Sequence, residues 1–192
     1  MTKSLILITV LSGSLLLQGC VAFALGTGAA VTAKTASDPR SLGSQVDDTT
    51  LDSRIGIALD NNRDYFKDAR IVATAYNGVV LLTGQAQSQA QIDKAYSLAS
   101  GVDGVMKVYN QIRLGPRIGG GTLTGDAWIT TKVKSQLIGN SATKARNIKV
   151  VTENSEVFLM GLVTAQEAKA ATQVASKVAG VKLVVAAFEI VQ

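Results

Sequence analysis

Residues Asn77-Gly78-Val79-Val80-Leu81-Leu82-Thr83-Gly84 return 77 positions later as Asn154-Ser155-Glu156-Val157-Phe158-Leu159-Met160-Gly161. An internal repeat of this kind decides the architecture before any single element does. Each copy is followed by a helix-start pattern, Ser88-x-x-Gln91 in the first and Thr164-x-x-Glu167 in the second. There a hydroxyl and an amide or carboxyl cap the free N–H groups of an opening helical turn. Both copies then close alike, with Gly104-Val105-Met106-Lys107-Val108-Tyr109-Asn110-Gln111-Ile112 matching Gly180-Val181-Lys182-Leu183-Val184-Val185-Ala186-Ala187-Phe188.

Working outward, each copy reads as helix, strand, strand, helix, strand. Leu51, Ile55 and Leu59 sit four apart, as do Ile129, Val133 and Leu137, so each first helix carries one apolar stripe. Ile71, Ala73 and Ala75 lead into Asn77-Gly78, the strongest short hairpin signal, and Ile148, Val150 and Thr152 lead into Glu153-Asn154-Ser155. Second helices are expected over 88–100 and 164–179, and closing strands over 105–112 and 181–190. The fold class is therefore α+β, each unit a three-stranded mixed sheet packed on two helices (αββαβ). Residues 47–113 form the first unit and 123–192 the second. The Gly- and Pro-broken stretch 114–122, with Gly115-Pro116 and Gly119-Gly120-Gly121, reads as the linker.

A unit of this order with a Gly-Val-x-x-Val-x-Asn-x-Ile ending resembles the BON domain. The likeness is carried chiefly by Trp128-Ile129-Thr130-Thr131-Lys132-Val133 and by Glu156-Val157-Phe158-Leu159-Met160-Gly161-Leu162-Val163-Thr164. The second copy has Ala186 where the family has Asn.

The N-terminus points to an envelope. Lys3 is the only charge before Lys34, and a mostly apolar run from Leu5 to Leu17 precedes Leu17-Gln18-Gly19-Cys20. A basic start and an apolar run too short to span a bilayer make a secretory signal, assigned to 1–19. Leu-Gln-Gly-Cys resembles the lipobox of bacterial lipoproteins, although Gln18 replaces the usual small residue. The resemblance implies that Cys20 is acylated (diacylglycerol plus palmitate-like amide) and becomes the mature N-terminus. Val21 is not the aspartate of an inner-membrane retention signal, which implies the outer membrane, with the protein facing the periplasm. Residues 20–46 read as a lipidated start and a flexible tether, reaching roughly 25–30 Å. Two BON domains behind a lipobox are similar to the division- and outer-membrane-stress-associated lipid-binding lipoproteins of Gram-negative bacteria.

Composition narrows the chemistry. There is no histidine and one cysteine. That removes Ser-His-Asp and Cys-His catalysis, His-ligated metals and internal disulfides. The remaining carboxylates and lysines are a thin catalytic kit, so the reading is no enzyme, no cofactor, no metal and no catalytic residue. Asp47-Asp48 and Asp60, Asp64 and Asp68 lack the glycine and spacing of a calcium loop and read as a solvated acidic face. Nucleic acid is a poor partner for an envelope protein, despite a pI near 9.4.

Charge separates the two copies. From Asp47 to Arg113 there are 7 Lys/Arg and 8 Asp, net −1; from Leu123 to Gln192 there are 8 Lys/Arg and 5 Asp/Glu, net +3. On a helix over 125–139, Trp128 falls roughly 140° from the centre of the Ile129, Val133, Leu137 stripe. It then lies beside Thr131, Lys132 and Ser135, with Lys134 and Ile138 also directed outward. Trp and Ile ringed by lysines suit a headgroup layer. The first copy holds Thr50, Arg54, Gly56 and Asp60 in the places of Trp128, Lys132, Lys134 and Ile138. The alternative is that Trp128 packs against the other unit or the linker. Lys144, Arg146 and Lys149 are read as an addition to the basic surface.

The resemblance implies binding of anionic phospholipid, phosphatidylglycerol or cardiolipin, in the inner leaflet of the outer membrane, through the first helix of the second domain. It also implies a role in envelope integrity at the division site. The competing reading is a protein-interaction scaffold that docks on outer-membrane assembly or cell-wall proteins, through that helix or the sheet edges of the first unit.

Overall fold

A computed structural model describes residues 42–192. The signal segment 1–19, Cys20 and residues 21–41 of the tether lie outside the described residues.

The first copy comprises α1 (Leu42–Asp60), β1 (Arg70–Tyr76), β2 (Val79–Ala86), α2 (Gln89–Ser100) and β3 (Lys107–Leu114). The second comprises α3 (Gly120–Ile138), β4 (Ile148–Glu153), β5 (Glu156–Val163), α4 (Ala165–Ser176) and β6 (Leu183–Ile190). The sheets have the orders β1-β2-β3 and β4-β5-β6, with an antiparallel hairpin first and a parallel pair second, so both are mixed. The capping residues are those anticipated: Ser88 accepts from the Gln91 N–H, and Thr164 and Glu167 form a reciprocal box.

The helix expected over 164–179 ends at Ser176, the closing strands start two residues later than expected, and Leu114, read as linker, closes β3. Two further boundaries differ by more. Residues 42–46, read as tether, open α1, and α3 begins at Gly120, inside the stretch read as linker. Three successive glycines read as a breaker because each costs about 1 kcal/mol against Ala in a helix interior. At the end of a helix already nucleated, adding residues to the ladder is cheap, and the Leu123 N–H bonds the Gly119 carbonyl.

Each hairpin turns through two residues with positive φ, Asn77 (52°) and Gly78 (75°), and Asn154 (50°) and Ser155 (66°). A helix carboxylate holds each turn. Asp48 accepts from the Asn77 and Gly78 N–H groups, and Asp126 accepts from those of Asn154 and Ser155 at 2.7 and 2.8 Å. Asp48 and Asp126 are both buried. The solvated-face reading therefore fails for Asp48, because its charge is satisfied by turn amides that are far away in sequence.

Along β2 and β5 every residue is apolar on both faces for a few positions, as in strands covered on both sides. Val80 and Leu82 pack with Leu51, Ile55 and Ile92; Val157 and Leu159 pack with Ile129, Val133 and Leu137. The alternate residues Leu81, Phe158 and Met160, with Tyr76 and Ala187, form a third buried cluster. The helix-free faces of the two sheets thus meet in a seam between the copies.

Polar bonds line its margins, the first two of them at repeat-related positions. Arg70 pairs with Glu153 at 2.6 Å and the Tyr76 hydroxyl donates to the Asn147 carbonyl at 3.1 Å. Gln85 donates to Glu153 at 2.7 Å, and Lys149 donates to the Ala75 carbonyl at 2.9 Å. Lys149 also lies 4.0 Å from Asp52, whose carboxyl burial nevertheless pushes above its ordinary pKa. Lys149 belongs to the seam, and the exposed Lys144 pairs with Glu167 at 2.9 Å, so the supposed basic cluster does not act as three free cations.

Candidate functional site

The helix α3 is fixed to its domain from below. Ile129, Val133 and Leu137 sink into the core, Asp126 is pinned to the β4–β5 turn, and the Thr130 hydroxyl bonds that of Thr152 at 2.7 Å. With one face so constrained, the remaining side chains have one direction left. Trp128 is 53% exposed and Ile138 75% exposed, and Thr131, Lys132, Lys134 and Ser135 are exposed. Trp128 is thus not buried against the other copy, and about half of its surface is left to solvent.

The structure divides these residues into two flanks. On one, the Lys132 ammonium sits 3.8 Å from the centre of the Trp128 ring, a cation–π pair that presents an indole and a positive charge as one unit. On the other, Lys134 and Ile138 line a cleft of about 240 Å3 with Leu137, Ala145 and Arg146. Thr131 and Ser135 lie between the flanks. The Thr131 hydroxyl is turned back onto the Ala127 carbonyl, so it contributes its methyl group more than a donor. Trp128 and Ile138 stand about 80° apart around the helix and about 15 Å apart along it.

Chemically, this is a surface of apolar tips and unopposed ammonium groups. Among the described residues no group of three His, Cys, Asp or Glu side chains is placed to hold a metal ion. No described helix is long and apolar enough to cross a membrane.

Sequence reasoning passed over the neighbours of α3. Arg146 borders the Ile138 cleft, and the end of α4 brings Val174, Lys177 and Val178 beside Lys132. A comparison of the closing turns would have exposed Lys177, since Gly101 stands at its place in the first copy.

The family model for the BON domain matches residues 47–116 and 125–192. The chain is 44% identical over 179 residues to the outer membrane lipoprotein DolP of Haemophilus influenzae, covering 93% of this chain and 92% of that one. It is 46% identical over 155 residues to the 21 kDa hemolysin of Actinobacillus pleuropneumoniae, covering 81% and 80%. It is 30% identical over 154 residues to the osmotically-inducible protein Y of Escherichia coli, covering 79% and 76%. The resemblance first read from the repeat and the lipobox is therefore one of whole chains. The chain belongs to the BON-domain family, as an outer-membrane lipoprotein that carries the domain twice.

Proposed function

We propose that this protein is a non-enzymatic reader of anionic phospholipid. The outer face of α3 docks on phosphatidylglycerol or cardiolipin in the inner leaflet of the outer membrane and so supports envelope integrity, at the division site in particular. The observation that carries this reading is the Lys132 ammonium held 3.8 Å over a Trp128 ring that remains half-exposed. An indole at the headgroup layer with a cation beside it suits an interfacial helix. Each basic residue near an anionic surface contributes about 1 kcal/mol. Lys132 and Lys134 therefore give weak, reversible contact. Attachment comes from the acylated Cys20, and α3 supplies the preference for lipid type.

The test is an NMR titration of the mature chain, residues 20–192 with Cys20→Ser, against phosphatidylglycerol and phosphatidylcholine micelles. Shifts confined to α3 and its neighbours, and only with the anionic lipid, are expected. No shifts with either lipid would leave Cys20 as the only membrane contact.

One feature of the first domain favours a second reading, capture of an extended segment of an assembly or cell-wall protein. Ala75 turns its N–H to Asp52 and its carbonyl to Lys149, away from β2. By the alternation of an antiparallel pair, Ile71 and Ala73 also turn their backbone groups to the open edge of β1. A cavity of about 700 Å3 lies there between α1 and β1, with Leu59, Phe66 and Ile71 in its lining. Gly56 lines it at the place where the second copy has Lys134. A photo-crosslinker at Ala73 that captures a defined envelope protein would support this reading.

A further inference from the structure

The end of α4 and the turn that follows it reach Lys132. Val174, Lys177, Val178 and Ala179 face Lys132 and Gln136 of α3 across a cavity of about 220 Å3. Its lining holds two cations and no carboxylate. The Lys132 ammonium is already held over the indole, and the Lys177 side chain makes no ion pair or hydrogen bond among the described residues. The carbonyls of Val174 and Ala175 accept from the Lys177 and Val178 N–H groups. Their oxygens are thus engaged rather than left to repel an anion.

The first domain lacks this pair of cations at the corresponding positions. Arg54 stands for Lys132, but Gly101 stands for Lys177 and Asp103 for Ala179. Arg54 and Asp103 there border a cavity of about 270 Å3 that opens toward the Asn77-Gly78 turn instead. The corresponding positions thus carry two positive charges in the second copy, and one positive and one negative in the first.

We infer that Lys132 and Lys177 together seat the phosphodiester of an anionic phospholipid headgroup, so that the lipid site is built from α3 and α4 jointly. This rests on the proposed lipid reading and names the groups that hold the headgroup. The phosphate oxygens lie between the two ammonium groups, Val174 and Val178 meet the glycerol and the first methylenes, and Trp128 stands at the interface beside them. Phosphatidylcholine is disfavoured because its own trimethylammonium group would be brought against the lysines, whereas the glycerol headgroup of phosphatidylglycerol carries no cation.

The experiment is partition of the mature Cys20→Ser chain onto phosphatidylcholine vesicles with and without phosphatidylglycerol. Lys177→Ala is expected to lower partition onto the anionic vesicles about fivefold, the effect of one lysine at such a surface. Lys177→Arg is expected to retain it, and Ala179→Asp, which imports the carboxylate of the first domain, to lower it as Lys177→Ala does. Lys169→Ala, on the same helix but outside the cavity, is expected to stay within about twofold of the unaltered chain. Equal losses from Lys169→Ala and Lys177→Ala would mean diffuse attraction and overturn the seat. Loss with Trp128→Glu but none with Lys177→Ala would also overturn it while leaving the α3 reading intact. No loss with either would remove both. Finally, glycerol phosphate free in solution is expected to leave the Lys132 and Lys177 NMR signals in place. Shifts there without vesicles would overturn the lipid as the ligand.

Discussion

Arg70 of the first domain meets Glu153 of the second at 2.6 Å, and the repeat positions of these two residues meet again, exchanged, on the other side of the seam. Arg70 aligns with Asn147 and Glu153 with Tyr76, and it is the Tyr76 hydroxyl that donates to the Asn147 carbonyl. The two copies therefore contact each other as the subunits of a two-fold dimer do, position i with j and j with i, within one chain. Between these bonds lie Leu81, Phe158 and Met160.

The ion pair should be asymmetric to mutation. The Glu153 side chain is 7% exposed and that of Arg70 23%. Arg70→Met strands a buried carboxylate with Gln85 as its remaining side-chain donor and is expected to cost about 3 kcal/mol. Glu153→Gln keeps an acceptor for Gln85 and leaves a guanidinium that can reach water, so about 1 kcal/mol is expected. Urea unfolding midpoints decide this, and equal losses would count against it.

Asp126→Ala removes the acceptor of two turn N–H groups and is expected to destabilise the second domain by about 2 kcal/mol. Asp126→Asn retains one oxygen and should lose less. Amide exchange at Asn154 and Ser155 reads the effect locally, and protection unchanged in the Ala variant would disprove the anchoring role.

Gly84 (φ 120°) and Gly161 (φ 157°) admit no side chain. An added Cβ would lie 1.8 Å from the Arg70 carbonyl oxygen in the first case and 2.1 Å from that of Asn147 in the second. Both obstacles are backbone, which cannot turn aside. Either Gly→Ala change is expected to cost about 4 kcal/mol. Gly125→Ala on α3 meets nothing within 4 Å and is expected to stabilise by up to about 1 kcal/mol. Thermal unfolding of the three variants is the check.

Glu167 gives the fold a pH dependence. The hydrogen bond from Lys144, and after it the Thr164 N–H, hold its carboxyl below its ordinary pKa. A depressed folded value means that the contribution is complete above the unfolded pKa, about 4.3, and fades as pH falls through the lower folded value. Glu167→Gln should therefore lessen the loss of stability as pH falls below about 5 while lowering stability at neutral pH. The effect is small because the Lys144 end of the pair is open to solvent. Parallel pH profiles for the two proteins would refute it.

Trp128→Glu is expected to abolish vesicle binding while leaving unfolding within about 0.5 kcal/mol, because the side chain is half-exposed. Lys132→Ala should weaken binding about fivefold. Co-sedimentation with vesicles and thermal melts of the same samples separate the two effects. A lowered melting temperature in Trp128→Glu would show that the indole is structural.

Much of this protein was legible in its sequence because the signals involved are local. Ser88 and Thr164 cap helices three residues away, Asn77-Gly78 turns a hairpin between its own neighbours, and the four-residue spacing of Ile129, Val133 and Leu137 settles which way Trp128 must point. Backbone conformation and side-chain periodicity are properties of a few adjacent residues, so the repeat, the order of elements and the outward face of α3 followed from pattern alone.

What the tertiary structure decided depends on residues far apart in the chain. Asp48 reads as a solvated acid until the turn 29 and 30 residues ahead is brought onto it, and Lys149 reads as part of a basic surface until the seam places it against Ala75 and Asp52. Lys177 gains meaning only when α4 lies beside Lys132. Burial and charge pairing are set by packing between elements, and one-dimensional order carries no record of which faces will meet.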